Sequence, residues 1–164
     1  MFRSGRRSLI AALIVALHAS PAALAANAPS DPCSLLPGPE VAKAVGHSFD
    51  APVRSVAPRP FPNTVQGTDC LYEARGGREG LQFRIYFDPS ASGSAELFKR
   101  LQMFFGSGTA VAGVGDEAYF DAKHGLHARK GNVRFYMSLD GTSIAPAVRE
   151  KLLGSLGAGI AGRL

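Results

Sequence analysis

Leu126-His127-Ala128-Arg129-Lys130-Gly131-Asn132-Val133-Arg134-Phe135-Tyr136-Met137-Ser138-Leu139 is the stretch whose pattern decides the fold. Val133, Phe135, Met137 and Leu139 alternate with polar residues, the period of two that marks a strand with one apolar face. Gly131-Asn132 is a two-residue hairpin loop, so residues 126–130 return as an antiparallel neighbour. The loop sets Arg129 opposite Arg134 and His127 opposite Tyr136. Just upstream, Ala122-Lys123-His124-Gly125 has the character of a type I turn closed by a left-handed Gly125. That turn adds residues 117–121 as a third strand and sets Glu117 opposite Arg129.

The same alternation recurs earlier. Leu81, Phe83, Ile85 and Phe87 face one way, and Gln82, Arg84 and Tyr86 the other. Residues 70–74 precede them across a turn at residues 76–80, and a four-residue loop register sets Glu73 opposite Arg84 as an exposed ion pair. Residues 53–56 are an edge strand at best, because Pro52, Pro58, Pro60 and Pro62 surround them. Residues 58–62 are expected to form a rigid surface loop. Three helices complete the pattern. Residues 39–45 have Pro39 at the first position, Glu40 in the first turn and Gly46 as the stop. A helix capped by Ser92 or Ser94 runs to about residue 105 and turns Leu97, Phe98, Leu101, Phe104 and Phe105 toward the core. Residues 145–156 carry Val148, Leu152 and Leu156 inward, and the glycine-rich tail beyond them is expected to fray. Antiparallel strands interrupted by helices specify an α+β domain. The expectation is a sheet of five or six antiparallel strands, two main helices packed on its apolar face, and a short N-terminal helix.

The N-terminus supplies the compartment. Arg3, Arg6 and Arg7 precede an apolar run over residues 9–17, then Pro21 and the small-x-small pattern Ala23-Leu24-Ala25. This is the order of a secretory signal peptide over residues 1–25, and the run is shorter than the roughly 20 residues of a spanning helix. Arg6-Arg7 also gives it a twin-arginine flavour. Residues 26–164 then form one exported domain, secreted or periplasmic. Cys33 follows Ser30-Asp31-Pro32, too polar and too late for a lipid anchor. Loss of the three arginines lowers the net charge from +5 to +2, which argues against a dedicated nucleic-acid binder. An even pair of cysteines in an oxidising compartment, Cys33 and Cys70, is expected to form a disulfide.

Three stretches carry a family likeness: Asp31-Pro32-Cys33-Ser34-Leu35-Leu36 before Glu40-Val41, the lone Cys70 opening a hairpin, and Gly113-Val114-Gly115-Asp116-Glu117-Ala118 leading to Arg129-Lys130-Gly131-Asn132. The pattern resembles a family of small extracytoplasmic bacterial proteins, many of them actinobacterial lipoproteins, that share a domain of unknown function. The resemblance implies a fold of the PsbP-like class, with an antiparallel sheet between helices, and a bond between the two cysteines. It implies no enzymatic activity. The lipidation cysteine of the lipoproteins has no counterpart here.

Signatures of catalysis and of cofactors are weak throughout. There is no G-x-S-x-G elbow for a serine nucleophile. His124-x-x-His127 straddles a turn rather than a helical face and has no evident third ligand, so both are taken as exposed polar histidines rather than metal ligands. Gly113-x-Gly115-x-x-Ala118 opens a strand, whereas a dinucleotide fingerprint opens a helix; its glycines suit a tight turn or bulge. Asp116, Glu117 and Asp121 fit no calcium loop. No cofactor is expected. What remains is a face: Arg84, Tyr86, His127, Arg129, Arg134 and Tyr136 share the side of the sheet away from the apolar core. One Glu117 cannot neutralise two arginines, so a positive residue of charge is expected around Arg134. Arginine and tyrosine are favoured where proteins meet partners, and guanidinium forks suit anions. The expected function is a non-catalytic exported binding or accessory domain that contacts an acidic partner or an anionic small molecule. The alternatives are a secreted hydrolase with a dispersed site, and an inhibitor or immunity-type protein that presents residues 58–62.

Overall fold

A computed structural model describes Pro29 and residues 31–76, 79–106, 108–141 and 144–164. The leader expected over residues 1–25 lies outside the described residues. No helix among the described residues is long and apolar enough to cross a membrane.

The architecture is α+β. A 3-10 turn, Pro32–Leu35, leads into α1 (Gly38–Val45); β1 (Val53–Ala57), β2 (Gly67–Glu73) and β3 (Gly80–Phe87) follow. Then come α2 (Ala91–Phe105), β4 (Glu117–Phe120), β5 (Leu126–Lys130), β6 (Val133–Asp140) and α3 (Pro146–Arg163). One six-stranded antiparallel sheet has the order β1-β2-β3-β6-β5-β4. Two meanders therefore meet at the central β3–β6 pair. The second hairpin has the expected register, with Arg129 opposite Arg134 and His127 opposite Tyr136, and Glu117 lies opposite Arg129.

The first hairpin has the expected faces and a different register. Asp69, not Glu73, lies opposite Arg84, and Glu73 lies opposite Gly80. Pairing continues to the turn itself, where the Ala74 amide donates to the Glu79 carbonyl, so every partner moves by four residues.

The apolar face is closed by α1 and α3. Leu81, Phe83, Ile85, Leu126, Met137 and Leu139 form one cluster with Val41 of α1 and Leu153, Leu156 and Ile160 of α3. The Cys33–Cys70 disulfide ties the N-terminal turn to β2, with Cα atoms 5.7 Å apart. Beside it the buried Tyr72 hydroxyl donates to the Leu36 carbonyl, with the Cys33 carbonyl 3.2 Å away. The inward side of α3 is Leu153, Leu156 and Ile160, while Val148 is exposed. Nor does the glycine-rich tail fray. Gly157 sits so close to the sheet that a Cβ there would lie 2.5 Å from Leu126, and Arg163 donates to the Leu35 carbonyl and pairs with Glu40. The glycines allow close helix-to-sheet packing, and the contacts so gained hold a sequence of low helix propensity.

The largest departure concerns α2. It lies on the opposite face of the sheet from α3. Phe98 packs edge-on against Tyr119 at 5.4 Å, and Phe105 stacks on His127 at 5.5 Å; both partners alternate with the core residues of their strands. Topology gives the reason. The chain leaves β3 in the middle of the sheet and must resume at β4 on the far edge, so its connection crosses one face. Ser90 caps the helix by accepting from the Gly93 amide, two residues before the first expected cap.

Candidate functional site

The polar side of the sheet is thus an interior surface, and its charges are matched there. Arg134 is 3% exposed. Its Nε and Nη2 donate to Asp88 Oδ2 and Oδ1 at 2.6 and 2.9 Å, and its guanidinium lies 4.8 Å over the Tyr86 ring. No positive charge is left over at Arg134, contrary to expectation, because Asp88 at the end of β3 supplies a second carboxylate. Arg129 is also buried and is held by Asp116 and Glu117, each at 3.0 Å. Arg84 Nη2 donates to Asp69 at 2.9 Å, and Gln82 donates to the same carboxylate oxygen. Like-charged neighbours across a sheet are tolerated when each has its own counter-ion.

His127 is 9% exposed, not a surface histidine. Its ring lies parallel to Tyr119 at 4.8 Å and tilted against Tyr136 at 4.7 Å. Nε2 lies 3.0 Å from Asp121 Oδ2. Burial holds the imidazole below its ordinary pKa, and the opposing pull of Asp121 does not reverse this. Burial also pushes Asp121 up, but the Gly125 amide, the His127 ring and the Lys123 amide together outweigh it and hold the carboxyl below its usual range. The two shifts agree on one state: a neutral His127 whose Nε2–H donates to a charged Asp121. This tautomer is assigned from the hydrogen bonds. Asp121 also organises the β4–β5 turn by accepting from the amides of Lys123 and Gly125. The left-handed residue of that turn is His124, at φ 62°. Gly125 is needed for space, since a Cβ there would fall 2.7 Å from the Tyr136 ring. His124 reaches Glu150 on α3, so the two histidines are not brought together. The glycines at 113 and 115 are both left-handed, as a tight turn requires.

Helix α2 does not close over the whole polar face. Between it, the strands and the 58–60 segment lies a cleft of about 410 Å³. Its floor is Gln82, Arg84, Tyr86, His127, Arg134 and Tyr136; one wall is Phe98, Leu101 and Phe105; the rim carries Arg59, Pro60 and Lys123. Five of the six residues of the expected face line this cleft, and Arg129 does not. The proline-rich segment does not project as an inhibitory loop would: the Tyr86 hydroxyl donates to the Pro58 carbonyl at 2.8 Å and holds the segment against the sheet. Burial raises the pKa of Tyr86 despite the opposing Arg84 and Arg134, and burial likewise raises Tyr136. Arg84 Nε is buried with no hydrogen-bond partner, and Arg59 and Lys123 make no ion pair among the described residues.

The sequence did hold a signal for the wall. Met103, Phe104 and Phe105 are consecutive, and at 100° per residue three neighbours cannot share one face. Phe98 and Leu101 are buried, whereas Met103 and Phe104 are exposed, so the stripe is only partly core.

No family model matches the sequence, and no curated protein matches it either. Among solved structures the fold is similar to the extracellular domain of PknH from Mycobacterium tuberculosis. The identity is 11% and the TM-score 0.53, over 79% of this chain and 92% of that one. At that identity the likeness is one of fold.

Proposed function

We propose that this chain is an exported, non-catalytic binding domain whose cleft takes a small amphipathic anion. The observation that carries the reading is the composition of the cleft. It has the size of a small-molecule site, an aromatic and aliphatic wall, and a buried arginine nitrogen without a partner. Arg134 and Arg84 are matched by Asp88 and Asp69, and the charged Asp121, which also lines the cleft, offsets one of the two unpaired cations Arg59 and Lys123, so the lining keeps one net positive charge. An anion is drawn to the rim and to Arg84, and its apolar part lies against Phe98, Leu101 and Phe105. Export is supported by the leader pattern, by the disulfide and by the likeness to a domain described as extracellular.

The buried His127–Asp121 pair favours a hydrolase. Against it, the cleft lining among the described residues holds no serine, threonine or cysteine to act as nucleophile, and His127 Nε2 is already engaged by Asp121.

The probe is 1-anilinonaphthalene-8-sulfonate, an aromatic anion. Its fluorescence is expected to rise saturably at one site per folded chain. Arg59→Ala with Lys123→Ala should weaken binding about three- to tenfold, the scale of one or two partly exposed charge contacts. Phe105→Ala should weaken it too. A non-saturable rise, or affinities unchanged in both variants, overturns the reading. Turnover of p-nitrophenyl acetate that is lost in His127→Gln favours the hydrolase instead.

A further inference from the structure

We infer that the outer end of α2 is a docking tip for an anionic lipid surface. The inference does not depend on what occupies the cleft. Met103 and Phe104 are 76% and 72% exposed, too large and too apolar a pair to be solvated without cost. They do not stand alone. Phe105 meets Phe104 edge-on at 5.1 Å, and Phe61, from the segment after β1, meets it at 6.1 Å. Two separate chain segments therefore build one protruding apolar knob.

Charge selects what covers it. Lys99 and Arg100 lie one turn back from Met103 and Phe104, and the Arg100 guanidinium sits 4.7 Å over the Phe61 ring. Neither cation has an ion pair among the described residues. The acidic Glu96 is a further turn away. At the helical rise these rows are about 6 Å and 12 Å behind the apolar tip. With α2 entering end-on by its last turn, the cations lie at headgroup depth and the carboxylate stays in water. A second copy of this chain fits poorly, because a two-fold contact through the knob would press Lys99 and Arg100 against their own counterparts.

The test is vesicle flotation of the exported protein, its N-terminus read by mass spectrometry. Vesicles are phosphatidylglycerol mixed with phosphatidylcholine, or phosphatidylcholine alone. The protein is expected to float with the anionic vesicles and much less with the neutral ones. Met103→Ser with Phe104→Ser should reduce the bound fraction about tenfold or more, and Lys99→Glu with Arg100→Glu should lower it several-fold. All four side chains are exposed, so both variants should melt with the wild type. No flotation of the wild type, or equal flotation of the serine variant, overturns the inference. So does a dimer in vesicle-free sedimentation that the serine variant abolishes, or capture by immobilised polyglutamate with no binding to vesicles, which assigns the knob to another copy or to an acidic protein.

Discussion

On one face of the sheet, Leu81, Phe83, Ile85 and Met137 meet the aliphatic side of α3 and are closed off by a disulfide. On the other, Arg134, Arg84, His127 and Tyr136 line the side that α2 crosses, where ion pairs and the rings packed on His127 replace aliphatic packing. Both faces are interior, but they are held in different ways. The apolar face gains from area removed from water, which tolerates small adjustments of position. The polar face is stable only while each charge keeps its partner, because an uncompensated buried charge is far costlier than a small void. The second face is also where packing is incomplete and a cleft survives.

That contrast is broken most severely at Arg134. Arg134→Ala leaves Asp88, 4% exposed, without its counter-ion, and should cost about 3–5 kcal/mol in urea unfolding. A loss below about 1 kcal/mol would mean that water reaches Asp88 and that the face is not interior. The apolar face is probed by its staple. Replacing both Cys33 and Cys70 by serine should cost about 3–4 kcal/mol for a loop of this length, and alkylation of the unreduced wild type should find no free thiol.

Acid should act on the polar face first. The folded pKa of His127 is depressed, so the unfolded chain takes up its proton earlier as the pH falls through 6.5. The neutral ring's contribution is therefore complete above that pH and is lost as the pH drops from there toward the depressed native value. Asp121, also depressed, contributes above its usual 3.8 and loses that contribution at still lower pH. The melting temperature should fall between pH 7.5 and 5, and His127→Gln should flatten that part of the profile. The smallest effect is expected at Arg129. Its partners Asp116 and Glu117 are 46% and 37% exposed and rehydrate when released, so Arg129→Ala should cost about 1 kcal/mol or less.

Much of the fold was legible because its signals are local. Alternation at residues 81–87 and 133–139, the Gly131-Asn132 loop and the Gly46 stop each act within a few residues. The strand faces and the second hairpin's register follow from them, while the cysteine pair followed from its even count and the leader. What could not be read was non-local. The alternation of Arg84, Tyr86, Arg134 and Tyr136 is the same whether the polar side meets water or a helix. Only the pairing of β3 with β6 sends α2 across that side. Asp88, just past the end of β3, became the partner of Arg134 through the same pairing, and Asp69 reached Arg84 through a register shifted by four residues. Five of the six candidate residues therefore share one cleft, but their surroundings were misjudged.

The polar face is an interior surface with a cleft beneath α2, the cleft proposed above to take an amphipathic anion. Nuclear Overhauser contacts in the presence of 1-anilinonaphthalene-8-sulfonate test it directly. The account predicts contacts from Phe98 to Tyr119 and from Phe105 to His127 within the protein, and from the probe to the Leu101 methyls and the His127 ring. Contacts of the probe confined to the exposed edge at Val53 and Val56, with none between α2 and the His127 face, would contradict it.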